Sequence, residues 1–138
     1  MNSHELNKIV NTPELDVVRV VSLRNNSSEV LLVQEVDDIN WKLPGGKIHE
    51  AETIFEAFER EIEEELGFKP TREMIVNYVS ANIPDSENIR HIFLINEVDE
   101  SSIIQTEEVA EARYFNLEEL PETKFSGHIS SAVKLIIK

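Results

Sequence analysis

The chain has 138 residues, 41% of them hydrophobic, which suits one globular domain over residues 1–138 and is too short for two. It has no cysteine, so disulfides, thiolate metal sites and cysteine nucleophiles are excluded. Its formal net charge of −14 disfavours binding to nucleic-acid polymers and anionic membranes, which are themselves negatively charged. A phosphorylated small molecule would be repelled too, unless divalent cations offset the charge locally.

The N-terminal residues 1–10 contain Glu5 and Lys8 and have no apolar run, so they do not resemble a signal peptide. The longest aliphatic or aromatic runs have four residues, as at 92–95, which is too few to span a membrane. We therefore expect a cytoplasmic protein without membrane contact, and the lack of cysteine fits a reducing compartment. The sequence leaves both a monomer and a homodimer open.

In chain order, the residues predict strands, a helix, further strands and a closing helix. The predicted strands are 15–23, 29–35, 41–43, 74–83, 89–98 and 112–115. The predicted helices are 53–66, 126–136 and a single turn at 117–120. The turn-forming residues 24–28 predict a hairpin between the first two strands, and Pro44-Gly45-Gly46 ends the third. This order favours a mixed β-sheet with helices packed on its faces, an α/β fold of the α+β kind.

The helix at 53–66 has both of its ends specified by local signals. Thr53 followed by Glu56 has the spacing of a capping box. Gly67 stands where a left-handed residue ends a helix, and Pro70 prevents its continuation. The apolar residues of this helix form one buried stripe, which consists of Ile54, Phe55, Phe58, Ile62 and Leu66.

The glutamates of the same helix fall into two sets. Glu56, Glu59 and Glu63 lie opposite the stripe and are expected in solvent. Glu61, Glu64 and Glu65 crowd one flank of the stripe, where they repel one another and lose hydration. Arg60 cannot neutralise all three, whereas a divalent cation with oxygen ligands, such as Mg²⁺, can. The alternative for any glutamate-rich helix is a solvated acidic face without a ligand.

A longer pattern surrounds this helix. Gly46 is followed after five residues by Glu52, and after seven more by the run from Arg60 to Phe68. This pattern resembles the Nudix signature, all seven fixed residues of which are present: Gly46, Glu52, Arg60, Glu61, Glu64, Glu65 and Gly67. The lead-in from Trp41 also resembles that family, as does the segment 108–120, more loosely. Ala51 stands where many members have glycine, and Phe58 where a small residue is common.

The resemblance implies a Nudix-type α/β/α sandwich. It also implies roles for residues 45–68, which we call the Nudix box. Glu61, Glu64 and Glu65, with the carbonyl of Gly45, would bind Mg²⁺ or Mn²⁺. The residues implied in catalysis are Glu52, Arg60, Glu61 and Glu64. Gly45 and Gly46 would let the backbone approach the phosphates of the substrate. Among the later acidic residues Glu107, Glu108 and Glu111, Glu108 is our candidate general base, with a box glutamate as the alternative. We expect His49 to be exposed and not a ligand.

The implied reaction is hydrolysis of a diphosphate bond in a nucleoside diphosphate linked to another moiety. The partner is then a small-molecule nucleotide, either a nucleoside triphosphate or a sugar derivative such as ADP-ribose. The position of Pro84 resembles a marker proline of ADP-ribose hydrolases, although loop prolines are common. Two alternatives remain, a nucleotide-binding sensor without turnover and a purely structural acidic domain.

Overall fold

The computed structural model of the chain describes residues 3–10, 13–82 and 88–137. These residues form the strands β1 (Asp16–Arg24), β2 (Glu29–Glu35), β3 (Trp41–Lys42), β4 (Gly45–Lys47), β5 (Ile75–Asn82), β6 (Ile89–Ile95) and β7 (Val109–Asn116). The α-helices among them are α1 (Ser3–Leu6), α2 (Ile54–Leu66) and α3 (Ser126–Ile136). Single turns of 3-10 helix lie at Pro13–Leu15, Arg72–Met74 and Glu100–Ser102.

The strands form one mixed sheet with β1 near its centre. Its order is β3-β2-β1-β6-β5, with β4 paired to β1 and β7 paired to β2. β1 and β6 run parallel, with Val17 opposite Arg90. Every other strand pair within the described residues is antiparallel. β1 is therefore the strand on which both halves of the sheet depend.

Alternate residues of the strands feed two separate cores. Val18, Val20 and Phe93 pack with the apolar stripe of α2. Val21 and Ile92 point the other way and pack with α3. The period-2 alternation of side chains along a strand explains this division. The predicted α/β/α sandwich with a mixed sheet is confirmed, and none of the helices in the described part is long and apolar enough to cross a membrane.

A buried polar chain crosses the α2 side of the sheet. The imidazole of His91 makes hydrogen bonds to Asp16 Oδ2 at 2.7 Å and to the Tyr78 hydroxyl at 2.6 Å. Asp16 and His91 are 3% and 5% exposed. The chain links β1, β6 and β5, so it fastens the three strands by side chains in addition to their backbone pairing.

Most predicted elements are confirmed, and four local expectations were wrong. The strand predicted at 89–98 ends at Ile95. The 24–28 hairpin turn and the 126–136 helix are present. Gly45 and Gly46, expected only to end a strand, begin β4, because Val18 and Arg19 of β1 supply backbone partners. β7 begins at Val109 and not at 112, since its early residues pair with β2 across a bulge.

The helical turn predicted at 117–120 is also wrong. The backbone amides of Glu118 and Glu119 bond to the Asn116 side chain, at 2.8 Å, and to its carbonyl, at 3.0 Å. An asparagine that closes turns in this way competes with helix formation. Helix α1 was not predicted, yet its Leu6 is fully buried. Residue 83, the end of the predicted strand 74–83, and Pro84 lie outside the described residues.

The loop before α2 holds Ala51 with φ of 67°. This left-handed conformation is unfavourable for alanine and free of steric cost for glycine. We therefore expect Ala51→Gly to raise the free energy of unfolding by about 0.5–1 kcal/mol. Ala110→Gly, at an exposed strand position, serves as the control and should destabilise slightly. Urea denaturation of both variants and the wild type is the measurement, and an Ala51→Gly variant no more stable than the wild type would contradict the strain.

Candidate active site

Helix α2 presents the candidate site, and its ends fix its register. The side chain of Thr53 accepts the Glu56 amide at 3.0 Å, and the Glu56 side chain accepts the Thr53 amide at 2.9 Å. Gly67 ends the helix in the left-handed region, with φ of 79°. Both predicted caps are confirmed. The helix consequently starts and stops where local hydrogen bonds dictate, and each glutamate takes its predicted face.

The two predicted sets of glutamates differ in burial, except that Glu59, which was wrongly expected in solvent, is partly buried like Glu64. Glu56 and Glu63 are exposed, and Glu59 is partly buried. Glu61 and Glu65 are 6% and 2% exposed. Glu64 lies between, with its side chain 34% exposed. Two carboxylates therefore lie almost out of water, a position that is costly without a compensating charge or donor.

Arg60 collects the carboxylates around one guanidinium. Its Nε and Nη2 donate to Glu52 at 2.7 Å and 3.0 Å. Its Nη1 donates to Glu61 at 2.9 Å and to Glu64 at 3.3 Å. Its Nη2 also donates to the Lys47 carbonyl at 2.9 Å. Arg60 thus contacts three glutamates of the box, and these hydrogen bonds raise the pKa of Arg60 above its usual value.

Glu65 stands apart from Arg60. Its Oε1 accepts the backbone amide of Gly45 at 3.0 Å. Burial, with a smaller contribution from the charge of Glu61, raises the pKa of Glu65 to about 8, against the opposing effects of the Gly45 amide and Lys42. Burial also raises the pKa of Glu61, although Arg60 opposes it. Two buried carboxylates beside each other thus lack enough positive charge nearby.

Glu52 lies in the loop before α2, and its pKa is shifted in the opposite direction from those of Glu61 and Glu65. Burial would raise its pKa, but hydrogen bonds from Arg60 and from the His49 amide outweigh burial, and the pKa is lowered. The His49 amide donates to Glu52 Oε1 at 2.7 Å. The His49 side chain is exposed, as predicted. Glu52 is therefore a charged carboxylate shared between the loop and Arg60.

The two glycines before the loop are required by close packing. A Cβ on Gly46 would lie 2.6 Å from Oε1 of Glu61. A Cβ on Gly45 would lie 1.9 Å from the Val18 carbonyl oxygen, and the φ of Gly45 is 135°. The glycines thus let β4 approach both β1 and the carboxylates of α2. Their predicted contact with substrate phosphates stays a prediction.

Among the described residues, no three acidic or histidine side chains converge as a preformed metal site. Glu52, Glu61 and Glu64 instead converge on Arg60. The donor chemistry nevertheless fits a hard cation, because carboxylate oxygens are the ligands that Mg²⁺ prefers. The carboxyl groups of Glu61 and Glu65 are both buried and both have raised pKa values, so the site has a deficit of positive charge.

Comparison with known proteins identifies the family. The model of the NUDIX domain matches residues 13–134. The chain belongs to the NUDIX domain family.

Relatives of known sequence cover most of this chain but are longer than it. The mRNA-decapping enzyme subunit 2 of Saccharomyces cerevisiae (strain YJM789) is 31% identical over 111 residues, covering 75% of this chain and 11% of that protein. Putative nudix hydrolase 1 of Caenorhabditis elegans is 31% identical over 128 residues, covering 87% of this chain and 34% of that protein. The matched part of the chain thus spans 11% and 34% of the length of these two relatives.

Solved structures share the fold. A UDP-X diphosphatase superposes with a TM-score of 0.68 at 23% identity, covering 98% of this chain and 72% of that one. The MutT protein from Methanosarcina mazei Go1 superposes with a TM-score of 0.63 at 20% identity, covering 88% and 91%. These likenesses confirm the sandwich with its mixed sheet.

The later acidic residues differ in their relation to the Nudix box. Glu108 is exposed, and slight burial together with the charges of Glu64 and Glu35 raises its pKa. Glu111 pairs with Arg113 at 3.6 Å, with both side chains about half exposed. Glu107 is exposed. Glu108 is therefore in electrostatic reach of Glu64, and its role as general base stays a prediction.

Replacing either of the two adjacent glycines by alanine should lower the stability of the fold, but by different amounts. Gly45→Ala places a methyl group against the backbone of β1 at positive φ, so we expect a loss of stability above about 1 kcal/mol. Gly46→Ala meets the end of a side chain that can rotate, so the loss should be much smaller. Urea denaturation tests this, and equal losses for the two variants would contradict the packing described.

The buried Glu65 predicts a pH-dependent stability of the metal-free protein. Its pKa is about 8 in the folded chain, against about 4.3 for an ordinary glutamate. Between these values the unfolded chain has released a proton that the folded chain retains, so stability falls as pH rises, by up to about 1.4 kcal/mol per pH unit. Glu65→Gln removes this penalty.

The measurement is urea denaturation in the presence of a chelator, at several pH values from about 5 to 8. The stability of Glu65→Gln relative to the wild type should rise steadily with pH. Glu63→Gln, on the exposed face of the same helix, is the matched control and should follow the wild type. Parallel curves for Glu65→Gln and the wild type would show that Glu65 titrates normally.

Proposed function

We propose that this chain is a hydrolase that uses a divalent metal ion to cleave the diphosphate bond of a nucleoside diphosphate linked to another moiety. The observation that carries the proposal is the pair of buried carboxylates, Glu61 and Glu65, beside Glu64 on one flank of α2. One guanidinium, Arg60, bonds Glu52, Glu61 and Glu64 together, whereas the hydrogen bond described for Glu65 comes from the Gly45 amide. Such an arrangement suits a site that gains a cation in use.

The residues proposed to hold Mg²⁺ or Mn²⁺ are Glu61, Glu64, Glu65 and the carbonyl of Gly45. When bound, such an ion lowers the pKa of a coordinated water and offsets the charge of the phosphates. This offset matters here, because the chain has a net charge of −14 and would otherwise repel its substrate.

The side chains of this protein would position the metal ligands and the attacking water, and one of them would accept a proton. Arg60 restrains the directions of Glu61 and Glu64 through charge-assisted hydrogen bonds. Glu52, charged and tied to the loop, would position water or the neighbouring carboxylates. Glu108 would accept the proton of the attacking water, since slight burial and the charge of Glu64 raise its pKa, which suits a general base.

The substrate is proposed to be a small nucleotide, either a nucleoside triphosphate or a nucleoside-diphosphate sugar such as ADP-ribose. Named structural neighbours include a UDP-X diphosphatase and an ADP-ribose pyrophosphatase from Streptococcus suis. A decapping enzyme is among the relatives, but a net charge of −14 argues against a nucleic-acid polymer. A cytoplasmic location, and a monomeric or homodimeric state, stay predictions from the sequence.

A substrate panel tests the proposal directly. The protein is incubated with Mg²⁺ or Mn²⁺ and with nucleoside triphosphates, ADP-ribose, NADH or dinucleoside polyphosphates. Release of phosphate or nucleotide is the expected result. Thermal stabilisation by a nucleotide without release would favour a sensor on the same fold. No response to any of the compounds would favour a structural role.

Glu64→Gln should keep the fold and lower kcat/KM with Mg²⁺ by about 10²-fold or more, because it removes a proposed ligand of the metal ion that offsets the negative charge developing in the transition state. Glu63→Gln is the matched control on the adjacent, exposed position of α2 and should keep near-native turnover. Steady-state kinetics and circular dichroism of both variants are the measurements. Near-native kcat/KM for Glu64→Gln would overturn the metal-site assignment.

A further inference from the structure

A cavity of about 210 Å³ lies beside the box, on the face of the sheet that packs against α3. Arg19 of β1 and Arg90 of β6 line it, together with Lys42, Phe125 and His128. We call it the arginine cavity. No described aspartate or glutamate lines it, in a chain whose net charge is −14. Positive groups are therefore concentrated where the rest of the molecule is acidic.

Arg90 is 4% exposed and has no carboxylate partner among the described residues. Its Nη1 donates to the His128 carbonyl at 3.2 Å, and its Nη2 to the Ser131 hydroxyl at 2.8 Å. Its Nε, also buried, has no acceptor among the residues that the structure describes. Burial lowers the pKa of Arg90. A buried guanidinium held only by neutral acceptors is costly unless an anion completes its hydrogen bonds.

Arg19 is partly buried and likewise lacks an ion pair in the part of the chain that the structure describes. Its Nη1 makes one long hydrogen bond, 3.4 Å, to the Leu43 carbonyl. Burial lowers the pKa of Arg19, while the charges of Glu65 and Glu61 oppose that shift. Arg19 is also the register partner of Gly45, whose amide bonds Glu65. It therefore connects the arginine cavity with the Nudix box.

The start of α3 adds to the positive character of the arginine cavity. Phe125 and His128, which line the cavity, lie at this end of the helix. No side chain caps it, and no acidic residue lies in its first turn. The first amides of a helix carry a partial positive charge, which favours an anion nearby.

We propose that the arginine cavity binds an anionic group, a phosphate monoester or a carboxylate, on the part of the substrate that is not hydrolysed. The inference rests on the proposed function, since it assigns the cavity to the substrate of that site. Sites for whole small molecules span about 300–1,000 Å³, so a cavity of about 210 Å³ suits a fragment of one. Two guanidinium groups from neighbouring strands can hold such an anion through paired hydrogen bonds.

Binding of a simple anion tests the cavity without any turnover. Inorganic phosphate and acetate are titrated into the protein at constant ionic strength, balanced with chloride. The side-chain Nε–H signals of Arg19 and Arg90 are followed by NMR. We expect saturable shifts at these two signals with phosphate, acetate or both, which separates a phosphate site from a carboxylate site. Shifts absent for both anions, or no larger than those of chloride, would overturn the proposal.

Matched substrates test the link to hydrolysis. NADPH and NADH differ by one phosphate, and UDP-glucuronate and UDP-glucose differ by one carboxylate. The wild type should prefer the anionic member of at least one pair by about tenfold or more in kcat/KM. Arg90→Met should remove that preference, whereas Lys134→Met, at an exposed position of α3, should keep it. If Arg90→Met does not fold, Arg19→Met provides the same comparison.

The two proposals fail in distinguishable ways. Phosphate binding at the arginine cavity, in a protein that hydrolyses none of the compounds tested, would overturn the proposed function and support the anion site. Hydrolysis with equal kcat/KM for both members of each pair would overturn the substrate assignment of the cavity and leave the hydrolase intact.

Discussion

Arg60 makes hydrogen bonds to several carboxylates that would otherwise repel one another. Its guanidinium bonds Glu61 and Glu64 of α2, Glu52 of the preceding loop and the Lys47 carbonyl at the end of β4. Because the bonds run to a strand, a loop and a helix, one side chain sets the distance between all three. These hydrogen bonds hold the three carboxylates close together around one guanidinium. The shape of the site before it meets a ligand thus depends on a single charged residue.

The features set by local sequence were predictable, and those set by distant partners were not. Thr53, Glu56 and Gly67 act within one turn of α2, so the helix and its faces followed from the sequence alone. β4 escaped prediction because glycine has little tendency to form strands, and its pairing depends on β1. The arginine cavity was not predicted either, because it also depends on the pairing of distant strands. Arg19 and Arg90 stand on separate strands, and only the parallel pairing of β1 with β6 brings them together.

Strand β1 contributes residues to both faces of the sheet. Val18 packs toward α2 and the buried carboxylates, whereas Arg19, the next residue, lines the arginine cavity. Alternation along one strand therefore separates an acidic site from a basic one by the thickness of the backbone. A long molecule with a diphosphate in the middle and an anion at one end would meet positive charge at the arginine cavity, and at the box only where a divalent cation offsets the carboxylates. In the proposed site, such an anion would pair with the two arginines, which have no carboxylate partner within the described part of the chain.

The parallel pairing of β1 with β6 also bears on the order in which the molecule assembles. Val17 and Arg90 are neighbours in the sheet but lie far apart in the chain, so their meeting closes a large loop and loses much chain entropy. Helix α2, by contrast, is closed by hydrogen bonds between residues three or four apart. A nascent chain that has not yet reached Ile89 contains every glutamate of the box but has no β6 with which to form the cavity. Contacts of such long range dominate the slow steps of folding.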